Sequence, residues 1–203
     1  MDLDRFFHLF AAAVTLTILF ISAAHRRRAN QSGERIDFSG EGRLVLVIRR
    51  VMGLALWLSV LLYLVYPAAL ARFSLPLPLP LRWLGAGLMA AAVPLVYWVF
   101  SSLGRNVTPT VMTRREHTLV THGPYRRVRH PLYSSAYLFL AGLVLLSGNL
   151  WLAGVVVLTC IPLLLRTPLE EAALIERFGD EYRAYLRRTG RYLPRLGRAK
   201  TLT

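Results

Sequence analysis

The stretch that decides the fold is LYSSAYLFLAGLVLLSGNLWLAGVVVLTCIPLLL, Leu132–Leu165. It carries no charged residue, and only Gly148-Asn149 interrupts it. Gly and Asn are turn formers. The run therefore divides into Leu132–Ser147 and Leu150–Leu165, with Pro162 near the end of the second part, and reads as a tight helical hairpin. A bilayer core takes about 20 apolar residues per helix, with a range of about 17–25. Three further apolar runs upstream meet that length: Phe6–Ala24, Val51–Ala71 and Leu84–Leu103, the last with Pro94 as a kink. The Leu75–Leu81 stretch alternates leucine and proline and reads as a short connection between spans. The expected fold is all-α: a polytopic membrane protein with about five transmembrane helices, the last two forming the hairpin.

Composition agrees. The chain has 203 residues, of which 55% are hydrophobic, and a formal net charge of +14. Soluble domains average about 45–50% apolar residues. So apolar a chain is not disordered, and one cysteine, Cys160, makes no disulfide scaffold. A large positive charge suggests nucleic acid until its placement is examined. All basic residues except Arg5, Arg72 and Arg82 fall within residues 25–50, 104–131 and 166–203. With five spans, those three segments share one side. The positive-inside rule then puts the N-terminus outside and the C-terminus in the cytoplasm, in the inner membrane of a bacterium. The charge is explained by topology, and no nucleic-acid partner is expected. Asp2 and Asp4 precede the first span and Arg26–Arg28 follow it. A cleaved signal peptide has the reverse polarity, so this span reads as an anchor.

Two segments on the basic side carry chemistry. One reads Leu119-Val-Thr-His-Gly-Pro-Tyr-Arg-Arg-Val-Arg-His-Pro-Leu-Tyr133. Gly123-Pro124 is a turn signal. Pro131 suits a first helical position and pushes His130 out of the helix. Several donors thus meet at a helix N-terminus, whose free N–H groups and partial positive charge favour an anion such as a carboxylate. The other segment begins Arg166-Thr-Pro-Leu-Glu-Glu171, and Ile175, Phe178, Tyr182 and Tyr185 follow at helical spacing. That predicts a cytoplasmic amphipathic helix after the fifth span, with Glu171 on its apolar stripe. Charged groups at a membrane boundary usually pair or serve a site. Glu170 has a second reading, because Thr167-Pro-Leu-Glu170 has the pattern of a capping box.

Taken together, Gly123-Pro124-Tyr125, Arg129-His130-Pro131, Tyr133, Glu170-Glu171, Phe178-Gly179, Tyr182, Tyr185, Arg191 and Pro194 resemble the isoprenylcysteine carboxyl methyltransferase family, integral membrane enzymes related to phospholipid methyltransferases. The resemblance covers about residues 101–195, and Leu103–Pro109 also looks like the stretch before the motif in bacterial members. Ser135 stands where the family often has Gly, and Pro168 where it usually has another residue. The resemblance implies S-adenosylmethionine as methyl donor and a lipophilic or lipidated acceptor arriving from the bilayer. It implies a cofactor-binding set of Gly123, Tyr125, Arg129, His130, Tyr133, Glu170 and Glu171, and a catalytic set of Arg105, Asn106 and Arg166. It also divides one integrated membrane domain into residues 1–100, the variable acceptor side, and 101–203, the methyltransferase-like core.

The residue types suit that donor. A carboxylate accepts from ribose hydroxyls or an ammonium, an Arg fork matches a carboxylate, and an aromatic face attracts a sulfonium. Each residue also has a plainer reading. His130 also reads as a helix cap, Tyr125 and Tyr133 as interfacial tyrosines, and Arg129 and Arg166 as topology charges. His117 and His122 read as solvated loop residues, and no metal site is expected. Two other functions stay open: a membrane reductase related to sterol reductases that uses NADPH, and a non-catalytic lipid-binding protein.

Overall fold

The computed structural model describes residues 2–30, 43–104 and 119–195. Among these are five α-helices: α1 (Leu3–Asn30), α2 (Arg43–Val65), α3 (Leu79–Leu103), α4 (Pro131–Ser147) and α5 (Leu150–Arg188). Two 3-10 turns, Pro67–Phe73 and Gly123–Arg126, complete the described elements. Four of the helices are long and apolar enough to cross a membrane. The other, α4, has 17 residues, a rise of about 25 Å. Large apolar side chains such as Leu16, Phe20, Leu58, Val157 and Leu165 are exposed along the helices, as expected where lipid replaces water. The protein is an all-α polytopic membrane protein.

The helices outrun several of the apolar runs, with α1 reaching Asn30 and α2 starting at Arg43, and three further differences have local causes. First, α2 stops at Val65 instead of running to Ala71, because Pro67 opens a 3-10 turn. Second, α3 starts at Leu79 rather than Leu84, with Pro80 in the first turn, where a missing N–H costs nothing. Third, the helix expected after the fifth span is continuous with it: α5 runs through Pro162 and Pro168 to Gly179, where φ 54° and ψ −126° kink the chain before a last helical stretch to Arg188.

The capping-box reading of Thr167–Glu170 is also corrected. Thr167 is fully buried inside α5 and donates its hydroxyl hydrogen to the Leu163 carbonyl. No helix starts there, so there is no N-cap for Glu170 to complete.

The turn between α4 and α5 is tight, as read from the sequence. Gly148 caps α4 at φ 58°, and a side chain there would meet the Leu75 carbonyl oxygen at 2.7 Å. Asn149 accepts from the Leu152 N–H with its side chain and starts α5. The arms then take different main partners: α4 packs most extensively on α3, and α5 on α2. Two glycines dictate the first pairing. A Cβ on Gly85 would lie 2.5 Å from the Leu146 nitrogen, and one on Gly142 would lie 2.7 Å from the Gly85 carbonyl oxygen. Backbone meets backbone at this crossing, as small residues allow in membranes. Around it Phe7, Ala11, Met89, Leu143, Leu146 and Leu152 are completely buried.

Polar contacts tie each end of the bundle. At one end Arg82 at the start of α3 pairs with Asp4 of α1 and donates to the Leu146 carbonyl, while Asn149 donates to Leu70. At the other end, His25 of α1 lies against Phe100 of α3, and the 3-10 turn Gly123–Arg126 packs on α3. Described parts of the basic segments, Arg127–Arg129 and Arg166–Arg191 among them, meet at this second end.

Candidate functional site

At the basic end, four pieces of chain converge. The first is the turn Gly123–Arg126. Gly123 has φ 58°, and a Cβ there would strike the Ser102 hydroxyl, so the turn is seated directly on the end of α3. The second is the entry to α4, with Pro131 at its first position and His130 just outside it. The third is α5 beyond Leu165, where charged residues begin. The fourth is the segment after α5. Gly190 donates to the Arg127 carbonyl, and the Arg129 and His130 N–H groups donate to the Gly190 and Arg191 carbonyls at 2.9 and 3.0 Å. The chain end is thus strapped back across the start of α4.

These pieces bring two carboxylates into a cluster of cations. Glu171 is buried and accepts from Arg129 Nε at 2.8 Å and from Arg191 Nη2 at 2.6 Å. Glu170 accepts from Arg166 Nη2 at 2.9 Å and from the Tyr133 hydroxyl at 2.9 Å. His130 stands between them, with Nε2 3.3 Å from Glu171 and Nδ1 3.6 Å from Glu170. Its ring stacks on Tyr133 with planes 8° apart. A buried charge is tolerated only when paired and hydrogen-bonded, and here every carboxylate has more than one donor. Three guanidinium groups face two carboxylates, leaving an excess of positive charge.

The electrostatics follow from those contacts. Burial pushes the Glu171 carboxyl up, but hydrogen bonds from His130, Arg191 and Arg129 outweigh it and hold the group well below the usual carboxylate range. Burial, aided by Tyr185 and Glu170, pushes the Tyr125 hydroxyl far up. Tyr185 is pushed up to about 12 by burial, against the field of Arg129 and Arg188. It therefore keeps its proton at neutral pH and donates to the Tyr125 carbonyl at 2.6 Å.

Of the residues singled out in the sequence, Arg129, His130, Tyr133, Arg166, Glu170 and Glu171 are brought into one contact network. Tyr125 adjoins it through Tyr185, and Gly123 seats the turn. Arg105 and Asn106 lie outside the described residues, as does His117. Of the two departures from the family pattern, Ser135 is buried with its hydroxyl turned to the Pro131 carbonyl, and Pro168 sits inside an unbroken stretch of α5.

Two contributors escape the sequence reading. Arg191 grips Glu171 through two nitrogens; its place in the resembling motif was its only signal. Tyr192 donates to the Thr167 hydroxyl at 2.6 Å, and its carbonyl accepts from Ser134. Nothing in a local pattern announces either residue, because both depend on the chain folding back.

Residues 85–176 match the model of the Isoprenylcysteine carboxyl methyltransferase (ICMT) family. The chain is similar to the nickel-cobalt-cadmium resistance protein NccN of Alcaligenes xylosoxydans xylosoxydans, with 31% identity covering 56% of this chain and 53% of that protein. It is similar to a probable protein-S-isoprenylcysteine O-methyltransferase of Oryza sativa subsp. indica, 34% identical over 45% of this chain and 49% of the relative. It is also similar to methanethiol S-methyltransferase 1 of Bradyrhizobium diazoefficiens, 41% identical over 34% of this chain and 24% of the relative. The chain thus spans about half the length, or less, of these relatives.

Proposed function

From the match of residues 85–176 to the isoprenylcysteine carboxyl methyltransferase family, we propose that the chain is an integral membrane methyltransferase of that family. It uses S-adenosylmethionine and acts on a lipophilic acceptor at the cytoplasmic face of a bacterial inner membrane, with its N-terminus outside. The observation that carries this reading is the adjacent carboxylates of half-buried Glu170 and buried Glu171, held by Arg129, Arg166, Arg191 and His130 at the N-terminus of α4.

The donor set fits such a cofactor. The excess guanidinium charge and the N-terminus of α4 suit a carboxylate. Glu170 and Glu171 suit an ammonium or ribose hydroxyls. The Tyr133 and Tyr192 rings beside His130 offer faces to a sulfonium. Bound S-adenosylmethionine would supply an electrophilic methyl group. The protein then has to align acceptor and methyl carbon and keep water out, which is positioning rather than proton transfer. A carboxylate or thiolate acceptor needs no general base, because its lone pair forms the new bond while the carbon–sulfur pair returns to sulfur. Arg105 and Asn106 belong to the acceptor side of this proposal, with Arg166 between acceptor and cofactor. The relatives' names span a prenylcysteine carboxylate and a small thiol. The acceptor class proposed here is accordingly a carboxylate or thiolate carried on a lipophilic molecule.

Titration of the purified protein with S-adenosylhomocysteine and, separately, with NADPH tests the reading by heat release or thermal shift. Binding of S-adenosylhomocysteine, weakened in Glu171→Gln and His130→Ala, is the expected result. Binding of NADPH alone would replace the methyltransferase with a reductase, and binding of neither would leave a lipid-binding protein.

A further inference from the structure

The end of the bundle remote from the carboxylate cluster contains a second polar site. There the ends of α1, α2, α3 and the α4–α5 turn enclose a pocket of about 450 Å³. Arg5, Arg82, Asp4, His8 and Tyr63 are among its lining residues. None of them takes part in the methyl-transfer reading.

The pocket's polar groups are prearranged. Arg82 is fixed by three contacts: Nε donates to the Leu146 carbonyl, Nη1 pairs with Asp4, and the guanidinium lies 4.5 Å from the centre of the Phe7 ring. Its Nη2 has no protein partner among the described residues. Arg5 adds a second, exposed cation, so the two arginines outweigh Asp4 by one charge. Tyr63 is buried beside His8, with ring centres 5.1 Å apart, and its hydroxyl makes no hydrogen bond among the described residues. His8 Nε2 lies 2.8 Å from the Leu64 carbonyl. A carbonyl only accepts, so that nitrogen carries the proton, and Nδ1 of the neutral ring is left as an acceptor.

The surroundings indicate where the occupant comes from. Tyr66, Trp83 and Trp151 are exposed around this same end, the position of an aromatic belt at a lipid–water boundary. A ligand here has one negative charge, oxygen acceptors for guanidinium and phenol, a hydroxyl for His8, and an apolar part for the membrane. We propose that the pocket holds the phosphodiester headgroup of a hydroxyl-bearing anionic phospholipid, from the leaflet opposite the carboxylate cluster.

The test is a titration of the full chain in maltoside detergent with dihexanoylphosphatidylglycerol, read by calorimetry. Inorganic phosphate and dihexanoylglycerol are run in parallel. Saturable binding of the phospholipid is expected, with the two controls binding far more weakly. Arg5 is exposed, so Arg5→Ala leaves the fold intact; it should weaken binding about tenfold, as loss of a charged contact does. Tyr63→Phe, which keeps the packed ring, should weaken it further in combination. Arg82 is avoided because it holds three helices together. Absence of saturable phospholipid binding overturns the proposal. So does equal affinity in the Arg5→Ala/Tyr63→Phe protein. Inorganic phosphate or dihexanoylglycerol binding as tightly as the phospholipid would overturn the lipid headgroup as well.

Discussion

Arg129 Nε lies 2.8 Å from Glu171 Oε1, with the two side chains only 8% and 9% exposed. This pair joins the residue before His130 at the mouth of α4 to the middle of α5, beside the Tyr133–Glu170 contact between the same helices. Removing one partner of a buried pair leaves an uncompensated charge, a cost of about 3–5 kcal/mol. Arg129 also donates to the Leu186 and Thr189 carbonyls, so Arg129→Ala strands backbone acceptors as well. Each single variant should lower Tm by about 10 °C, at roughly 2–4 °C per kcal/mol for a chain of this size. The double variant should fall well short of additivity. Thermal melts in detergent measure this; fully additive losses would mean the pair is not coupled.

The same contacts set a pH response. The folded Glu171 carboxyl is held below its ordinary range by His130, Arg191 and Arg129 despite burial. A lowered carboxyl pKa contributes stability that is fully present above the unfolded value, about 4.3. That stability is lost as pH falls through the unfolded value towards the folded one. The Tm difference between the wild type and Glu171→Gln should therefore be constant from pH 7 to about 5.5 and shrink as pH drops below 4.5. A difference that grows on acidification would reverse the sign assigned to Glu171.

Gly85 and Gly142 predict a sharper mechanical effect. A Cβ on either meets backbone atoms of the facing helix under 3.0 Å, and backbone cannot swing aside. Gly85→Val or Gly142→Val should prevent the α3–α4 crossing and abolish folded protein in detergent extracts. Gly87 sits on the same helix with nothing within 4 Å. Gly87→Ala should be tolerated or mildly stabilising, by up to about 1 kcal/mol. Size-exclusion profiles of the three variants separate these outcomes.

The legible parts of the sequence were those written locally. Apolar runs gave the helices, and His130-Pro131 and Gly148-Asn149 gave the limits of α4 to the residue. The errors also have local causes. Thr167-Pro168 has the pattern of a helix start, but the Thr167 hydroxyl is buried between the Leu163 carbonyl and the Tyr192 hydroxyl, and the helix continues through it. Pro80 lies in a leucine–proline run that reads as a linker, yet the first turn of a helix needs no N–H from it. In the cluster, Glu171 was visible as a carboxylate out of place on an apolar stripe. Arg191 and Tyr192 were not, because their roles exist only once Gly190 pairs with Arg127 and Arg129.

That strap makes the last prediction. Tyr192 is held at its hydroxyl by Thr167, and its carbonyl accepts from Ser134 at 2.6 Å. Tyr192→Phe deletes the hydroxyl contact alone, since Thr167 still bonds to Leu163 and the ring still packs on Tyr137. The loss of one such hydrogen bond costs about 0.5–1.5 kcal/mol, so Tm should fall by only a few degrees. The local consequence is larger. The Arg129 and His130 amides are bonded to the strap, and their exchange reports its opening. Hydrogen–deuterium exchange should therefore rise several-fold at Arg129 and His130, and stay unchanged at Met89 in the α3–α4 core. If the strap closes over bound cofactor, S-adenosylhomocysteine should slow exchange at these two amides in the wild type and less so in Tyr192→Phe. Equal protection in both proteins would make the strap a structural fastening with no part in binding.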